Sequence, residues 1–207
     1  HTRIPHFLSG ETLRPFDRKR SGTILGAAST AFIVQSAEAA QSSGKKPYAE
    51  LAGFGMTADA FRVASLNPEG DEWARSFELC LDDAGIQREE VGAVIAAANG
   101  HRWIDLAEAR ALRKAIGNKV PITAPKSIFG ETNGSSGGLN ILAGIQALQE
   151  DIIAPTASLA EPMEEIQLDW VYGQKRHATV DHALVSSFSF GGTYYSLLLK
   201  KCNDDTL

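Results

Sequence analysis

Lys126 stands in Pro125-Lys126-Ser127-Ile128-Phe129-Gly130-Glu131, between an apolar stretch and a glycine-rich loop. A lysine so placed is suited to hold an anion or a developing oxyanion, although most loop lysines are simply solvated. Residues 133–138 (Asn-Gly-Ser-Ser-Gly-Gly) then run into an apolar helix, and the free N–H groups of its first turn can hold phosphate or a polarised carbonyl. The spacing is not that of a P-loop, and close helix packing explains the glycines equally well. A third segment, Ser187-Phe188-Ser189-Phe190-Gly191-Gly192-Thr193, has two glycines that permit positive φ. Backbone N–H groups can converge in such a turn as an oxyanion hole, and a plain hairpin turn is the alternative. A fourth, Arg14-Pro15-Phe16-Asp17-Arg18-Lys19-Arg20-Ser21-Gly22, continues to Gly26 and reads by charge pattern as a turn with a solvated charge cluster.

Elements that position these segments follow from periodicity. Residues 22–34 read as a strand, 36–43 as a short helix stopped by Gly44, and 48–55 as a second strand. Trp73, Phe77, Cys80 and Leu81 recur at helical spacing across residues 71–84, which Gly85 closes. The continuous apolar run 91–98 reads as a strand buried on both faces. A helix over 105–116, a strand over 120–125, the loop 130–138 and a helix over 139–148 follow. Residues 152–159 are extended around Pro155, and strands at 179–188 and 193–200 close the chain. This alternation gives the α/β class with a layered sheet.

Composition narrows the function. The 207 residues carry a formal net charge of -5 and are 43% hydrophobic, which excludes a nucleic-acid footprint and permits a sizeable core. Cys80 and Cys202 are the two cysteines. Without CxxC spacing they suit a reducing compartment, so the expected location is cytoplasmic. Cys80 lies on the apolar face of its helix and reads as a buried structural thiol. No leader and no membrane span is read in the sequence, and residues 1–13 look like the start of a cut chain.

Taken in order, these segments resemble the β-ketoacyl synthase family of the thiolase superfamily. The resemblance runs from about Arg14 to Lys201. It rests on the PFD-x-x-R-x-G segment, the YAE-x-x-GFG strand at 48–55, the Lys126-Ser127 segment, Pro155-Thr156 and the SF-x-FGGT turn. It implies a thiolase-like, layered αβαβα fold of which this chain is the C-terminal part, completed by a missing N-terminal portion. Residues 1–21 would be an irregular lead-in, 22–60 the end of the first half, and 61–207 the second half.

The resemblance also implies what is absent. Members that condense acyl chains use a cysteine nucleophile, which lies upstream of Arg14, and two histidines. At the first histidine position an ungapped match puts Ala97 and a gapped match puts Asn99; His101 is out of register. At the second stands Glu131. Decarboxylative Claisen condensation needs neutral imidazole donors for the enolate, and an ionised Glu131 would carry the wrong sign of charge. Lys126, Phe190, Gly191 and Gly192 are retained, and no catalytic residue, cofactor or metal is expected in this chain. Such a chain resembles a chain length factor, the inactive partner of a type II polyketide or aryl-polyene ketosynthase. Its implied partners are its own N-terminal half or a second chain carrying it, an active ketosynthase in a heterodimer, and an acyl carrier protein. Two other readings stay open: part of an active condensing enzyme using His101, and a stand-alone acyl-carrier-protein or acyl-chain binder.

Overall fold

The computed structural model describes residue 8 and residues 12–62 and 65–202. Its helices are α1 (Ala37–Ser42), α2 (Asp71–Ala84), α3 (Arg102–Ala115), α4 (Lys126–Phe129) and α5 (Ser136–Glu150). The strands are β1 (Glu50–Ala58), β2 (Ala93–Ile95), β3 (Pro121–Thr123), β4 (Ile152–Ile153), β5 (Asp169–Trp170), β6 (Arg176–His177), β7 (His182–Ser189) and β8 (Thr193–Lys200). Six of them form one mixed sheet in the order β1-β8-β7-β2-β3-β5, and β4 and β6 pair separately. β2, β3, β5 and β7 run parallel, whereas β8 and β1 are added antiparallel at one end. Among the described residues, no helix is long and apolar enough to cross a membrane.

The two faces of this sheet are covered unequally. On one, α2 and α3 bury Trp73, Phe77, Cys80, Leu81, Ala107, Ala111 and Leu112 against Val94, Leu184, Tyr194 and Leu198. Here the Trp73 ring stacks on Tyr194 at 4.9 Å. Its Nε1 donates to the Ser186 hydroxyl at 3.1 Å. The YAE-x-x-GFG strand owes its glycines to this layer. A Cβ on Gly55 would lie 2.0 Å from the Ser76 carbonyl oxygen, and one on Gly53 2.4 Å from that of Cys80. Only hydrogen atoms fit between β1 and α2. Gly55→Val is therefore expected to cost about 1–3 kcal/mol through forced separation of strand and helix, checked as a lowered midpoint in a denaturant melt; an unchanged midpoint would contradict this packing.

On the other face, the helix packed on the strands among the described residues is α5. Gly144 sits against Leu199, Val185 and Ile95, and Ala147 and Leu148 close a second core with Ile153, Val180 and Ala183. Beside it the sheet is bare. Alternation turns Phe54, Met56 and Tyr195 away from α2, and all three are exposed. Leu142 on α5 is 47% exposed and Ile128 on α4 61%. Together with Phe129, Leu139 and Pro155 these two line an apolar pocket of about 260 Å³. A largely parallel sheet is stable when both faces are covered, so this face lacks a layer.

The free edge of β1 is better protected. The register slips between Leu51 and Gly53, and the Phe54 N–H is taken by Asp83 Oδ2 at 3.0 Å.

Several expected elements are corrected. Residues 22–34 form no strand. They make single bridges, Leu8 to Thr23 and Leu25 to Glu131, and Ile33 is 92% exposed. Strand propensity needs a ladder partner, and none runs beside residues 27–35 among the described residues. The apolar run 91–98 contributes only Ala93–Ile95 to the ladder, because residues 96–101 leave the sheet to build the site below. Helix α5 begins at Ser136, inside the segment expected to be loop. β1 lies in the same six-stranded sheet as β2, β3, β5, β7 and β8. Of the expected lead-in at 1–21, residues 1–7 and 9–11 lie outside the described residues.

Candidate functional site: a sealed charge cluster

The C-terminal ends of β2 and β3 open onto a cluster made from three separated stretches of chain. After β3, Ala124 and Pro125 turn directly into α4, which presents Lys126 inward with 5% exposure. Lys126 Nζ donates to Glu131 Oε2 at 2.7 Å and lies 4.9 Å from the Phe188 ring centroid. Glu131 follows Gly130, whose φ of 79° turns the chain back. The Asn99 amide donates to the same oxygen, Oε2, at 3.0 Å. Glu131 Oε1 accepts from the Ser136 hydroxyl at 2.6 Å and from the Asn133 N–H at 3.2 Å. Each carboxylate oxygen thus receives two hydrogen bonds. Burial pushes the Glu131 carboxyl upward, but the Lys126 charge and the bonds from Lys126, Ser136 and Asn99 outweigh it and hold the group below its ordinary range.

The loop at 133–138, read from sequence as a place for an anion, therefore already meets one. Its donors serve the chain's own Glu131.

Asn99 and Ala97 occupy different places. Asn99 is fully buried, with its side chain turned to Glu131 and its N–H held by Asp105 Oδ1 at 3.0 Å. Ala97 is also buried, and its N–H donates to Glu108 Oε1 at 2.8 Å. His101 caps the start of α3: its N–H donates to Asn99 Oδ1 at 3.2 Å, and its carbonyl accepts from Asp105 N at 3.0 Å. Burial pulls the partly covered His101 ring below its ordinary value.

Phe190 packs edge-on to Phe188, with ring centroids 5.3 Å apart. In the turn beyond it, the Gly191 N–H is taken by Ser189 Oγ at 3.2 Å and the Gly192 N–H by the Ser189 carbonyl at 2.9 Å. Both amides are used inside the turn, which is the hairpin alternative. Gly192 has φ 78°, and a Cβ there would fall 2.2 Å from Asp59 Oδ1. Asp59 Oδ2 accepts from the Tyr194 hydroxyl at 2.5 Å, so the turn is fastened to the loop after β1.

The segment at 14–22 is not a solvated charge cluster. Phe16, held at φ 60°, is fully buried, lies 4.4 Å from the Trp170 ring and donates its N–H to Asp105 Oδ2 at 2.8 Å. Asp17 accepts from the N–H groups of Lys19, Ala160 and Glu161. Buried Arg20 reaches Glu165 Oε1 at 3.0 Å. Arg18, Lys19 and Ser21 lie at the surface, the first two paired with Glu161. The motif clamps residues 14–20 onto the 160–165 loop and the start of α3. Sequence reading missed Asp105 and Glu108, both fully buried; two carboxylates at i and i+3 near the start of an apolar helix were the available signal. Cys80 is buried as expected, and burial raises its thiol to about 12.

A mixed, largely parallel sheet with helices on both faces, and a lysine and a glycine turn at the strand ends, fits the thiolase-like layered fold of ketosynthases. The chain belongs to the β-ketoacyl synthase family: residues 48–160 match the model of the β-ketoacyl synthase C-terminal domain. It is similar to 3-oxoacyl-(acyl-carrier-protein) synthase 2 of Synechocystis sp., with 37% identity covering 91% of this chain and 46% of that one. The tetracenomycin polyketide synthase ketoacyl synthase alpha subunit of Streptomyces glaucescens is 34% identical, covering 91% and 45%. Among solved structures, the ishigamide ketosynthase/chain length factor superposes with a TM-score of 0.91 at 29% identity, covering 96% of this chain and 49% of that one. The chain spans about half the length of the relatives it matches.

Proposed function

We propose that this chain is the C-terminal half of a non-catalytic ketosynthase-like subunit, of the chain length factor kind. Residues 22–60 would then lead out of the first half of the fold and residues 61–207 build the second. The observation that carries the reading is Glu131. Where the family resemblance puts an imidazole donor stands an ionised carboxylate, neutralised by Lys126 and saturated with hydrogen bonds. A site that must stabilise a forming enolate needs donors with free capacity. Here Lys126, Asn99 and Ser136 each turn a donor to Glu131, and the residue in the imidazole position is itself an acceptor. The bare face beside α5 supports a complement supplied by the other half of the fold, and that face disfavours a stand-alone binder. An active ketosynthase and an acyl carrier protein are the partners this reading requires.

The similarity to a 3-oxoacyl-(acyl-carrier-protein) synthase 2 and a ketoacyl synthase alpha subunit favours the second reading, an active enzyme that uses His101. Product formation by the complex reconstituted with ketosynthase, carrier protein and malonyl donor separates the two. His101→Ala is expected to leave turnover within a few-fold, while replacing the partner ketosynthase's nucleophile abolishes product. Loss of about 100-fold or more in His101→Ala, with assembly and melting unchanged, would install the active-enzyme reading instead.

A further inference from the structure

The loop that cradles Glu131 also carries a reactive dipeptide. In an Asn-Gly pair the glycine nitrogen attacks the side-chain amide readily, because no Cβ hinders its approach. The chain holds two such pairs, Asn99-Gly100 and Asn133-Gly134, and the fold treats them oppositely.

Asn99 is fully buried and held at both ends of its amide. Its Nδ2 donates to Glu131 Oε2 at 3.0 Å, and its Oδ1 accepts from the His101 N–H at 3.2 Å. The nitrogen that would attack it, that of Gly100, is engaged with Asp105 Oδ1 at 3.1 Å. Cyclisation there would break all of these bonds away from water. Asn133 and Gly134, by contrast, are both exposed. Asn133 begins a single turn of 3-10 helix, Asn133–Ser135, and sits in the left-handed region at φ 53°, which suits Asn. Nothing among the described residues holds its side-chain amide. A Cβ on Gly134 would meet no heavy atom within 4 Å, so the space around the attacking nitrogen is open.

We infer that Asn133 is a site of spontaneous deamidation whose conversion disturbs the cradle of Glu131, and that the fold protects Asn99 from the same reaction. The Gly134 nitrogen gives its proton to solvent and bonds to Asn133 Cγ; the Cγ–Nδ2 bond breaks and ammonia leaves. Water then opens the cyclic imide. Opening at Cγ leaves aspartate at this position. Opening at the main-chain carbonyl leaves isoaspartate, whose backbone runs through the side chain and is longer by one atom. The net exchange is one water for one ammonia, with no change of oxidation state. The new carboxylate stands two residues from Glu131. The lengthened backbone falls between two groups that bond Glu131 Oε1, the Asn133 N–H at 3.2 Å and the Ser136 hydroxyl at 2.6 Å.

The test is to incubate the purified assembly in mildly alkaline buffer and follow both pairs by peptide mass spectrometry against a zero-time sample. Asn133 is expected to gain the mass of the ammonia-for-water exchange, in two chromatographically distinct forms, while Asn99 stays intact. In denaturant both pairs should convert. Gly134→Ala, whose methyl group the fold has room for, is expected to slow conversion at Asn133 about tenfold. The converted protein should melt about 3 °C or more below fresh protein, through the weakened bonds to Glu131. An Asn133 that stays intact in the folded assembly while converting in denaturant would overturn the inference. So would an Asn99 that converts as fast as Asn133 in the folded state, or a converted protein that melts with the fresh one.

Discussion

Lys126→Met is expected to destabilise the protein by about 3–5 kcal/mol, because it leaves Glu131 buried without its counter-ion. The loss would be read as a lowered midpoint in a denaturant melt of the purified assembly. Glu131→Leu added to Lys126→Met should restore most of it, since an apolar pair of similar volume has no charge to strand. The sign with pH separates this cause from a simple packing defect. In the unsubstituted protein the Glu131 carboxyl is depressed below its ordinary 4.5. Its stabilisation is therefore complete above that value and lost as pH falls through the folded-state value. Without Lys126 the dominant influence is burial, the carboxyl moves above 4.5, and the variant gains stability on acidification instead. A Lys126→Met protein with a midpoint close to the parent's, or one that weakens with acid as the parent does, would remove the ion pair from the account of this site.

The second large effect concerns the bare face. Produced alone, the chain is expected to bind the dye ANS strongly and to associate or precipitate, because Phe54, Met56, Leu142, Ile128 and Phe129 present a broad apolar surface. Co-produced with the other half of the fold, it should become soluble and lose most of the dye signal. A monomeric, cooperatively melting chain with no dye binding would show that the face needs no cover, and the half-fold reading would fall with it. This outcome does not touch the charge cluster, whose donors all come from residues 99–136 of the chain itself.

Where a single element carries its own signal, sequence and structure agree. Helix α2 occupies residues 71–84 as expected, because its apolar spacing and Gly85 are local. Strand β8 likewise falls at Thr193–Lys200. The strand expected at 22–34 failed because a β-ladder is a property of two segments, and one of them is not at hand. The site was half legible. Lys126 and Glu131 are five residues apart and could be paired on paper. Asn99 lies 32 residues from Glu131, and nothing local indicates that its amide faces that carboxylate rather than solvent. The loop at 133–138 shows the same limit. Its donors were recognisable as a cradle for an anion, yet the anion proved to be a neighbour in the chain. Arg18 and Lys19 match the charge-pattern reading of the segment at 14–22, whereas Asp17 and Arg20 are drawn inside by partners about 145 residues away.

The Asp83 carboxylate on the Phe54 N–H, with the slipped register beside it, bears on how a chain with a bare sheet face would behave before any cover met it. Copies of a nascent chain with a bare face and an open edge have two ways to find each other, and strand-to-strand zippering is the one that propagates without limit. Here one N–H of the β1 edge is taken and the strand is bulged beside it, which disfavours zippering along that edge relative to contact through the face. Face-to-face contacts leave no growing end, and they release when a better-fitting cover arrives.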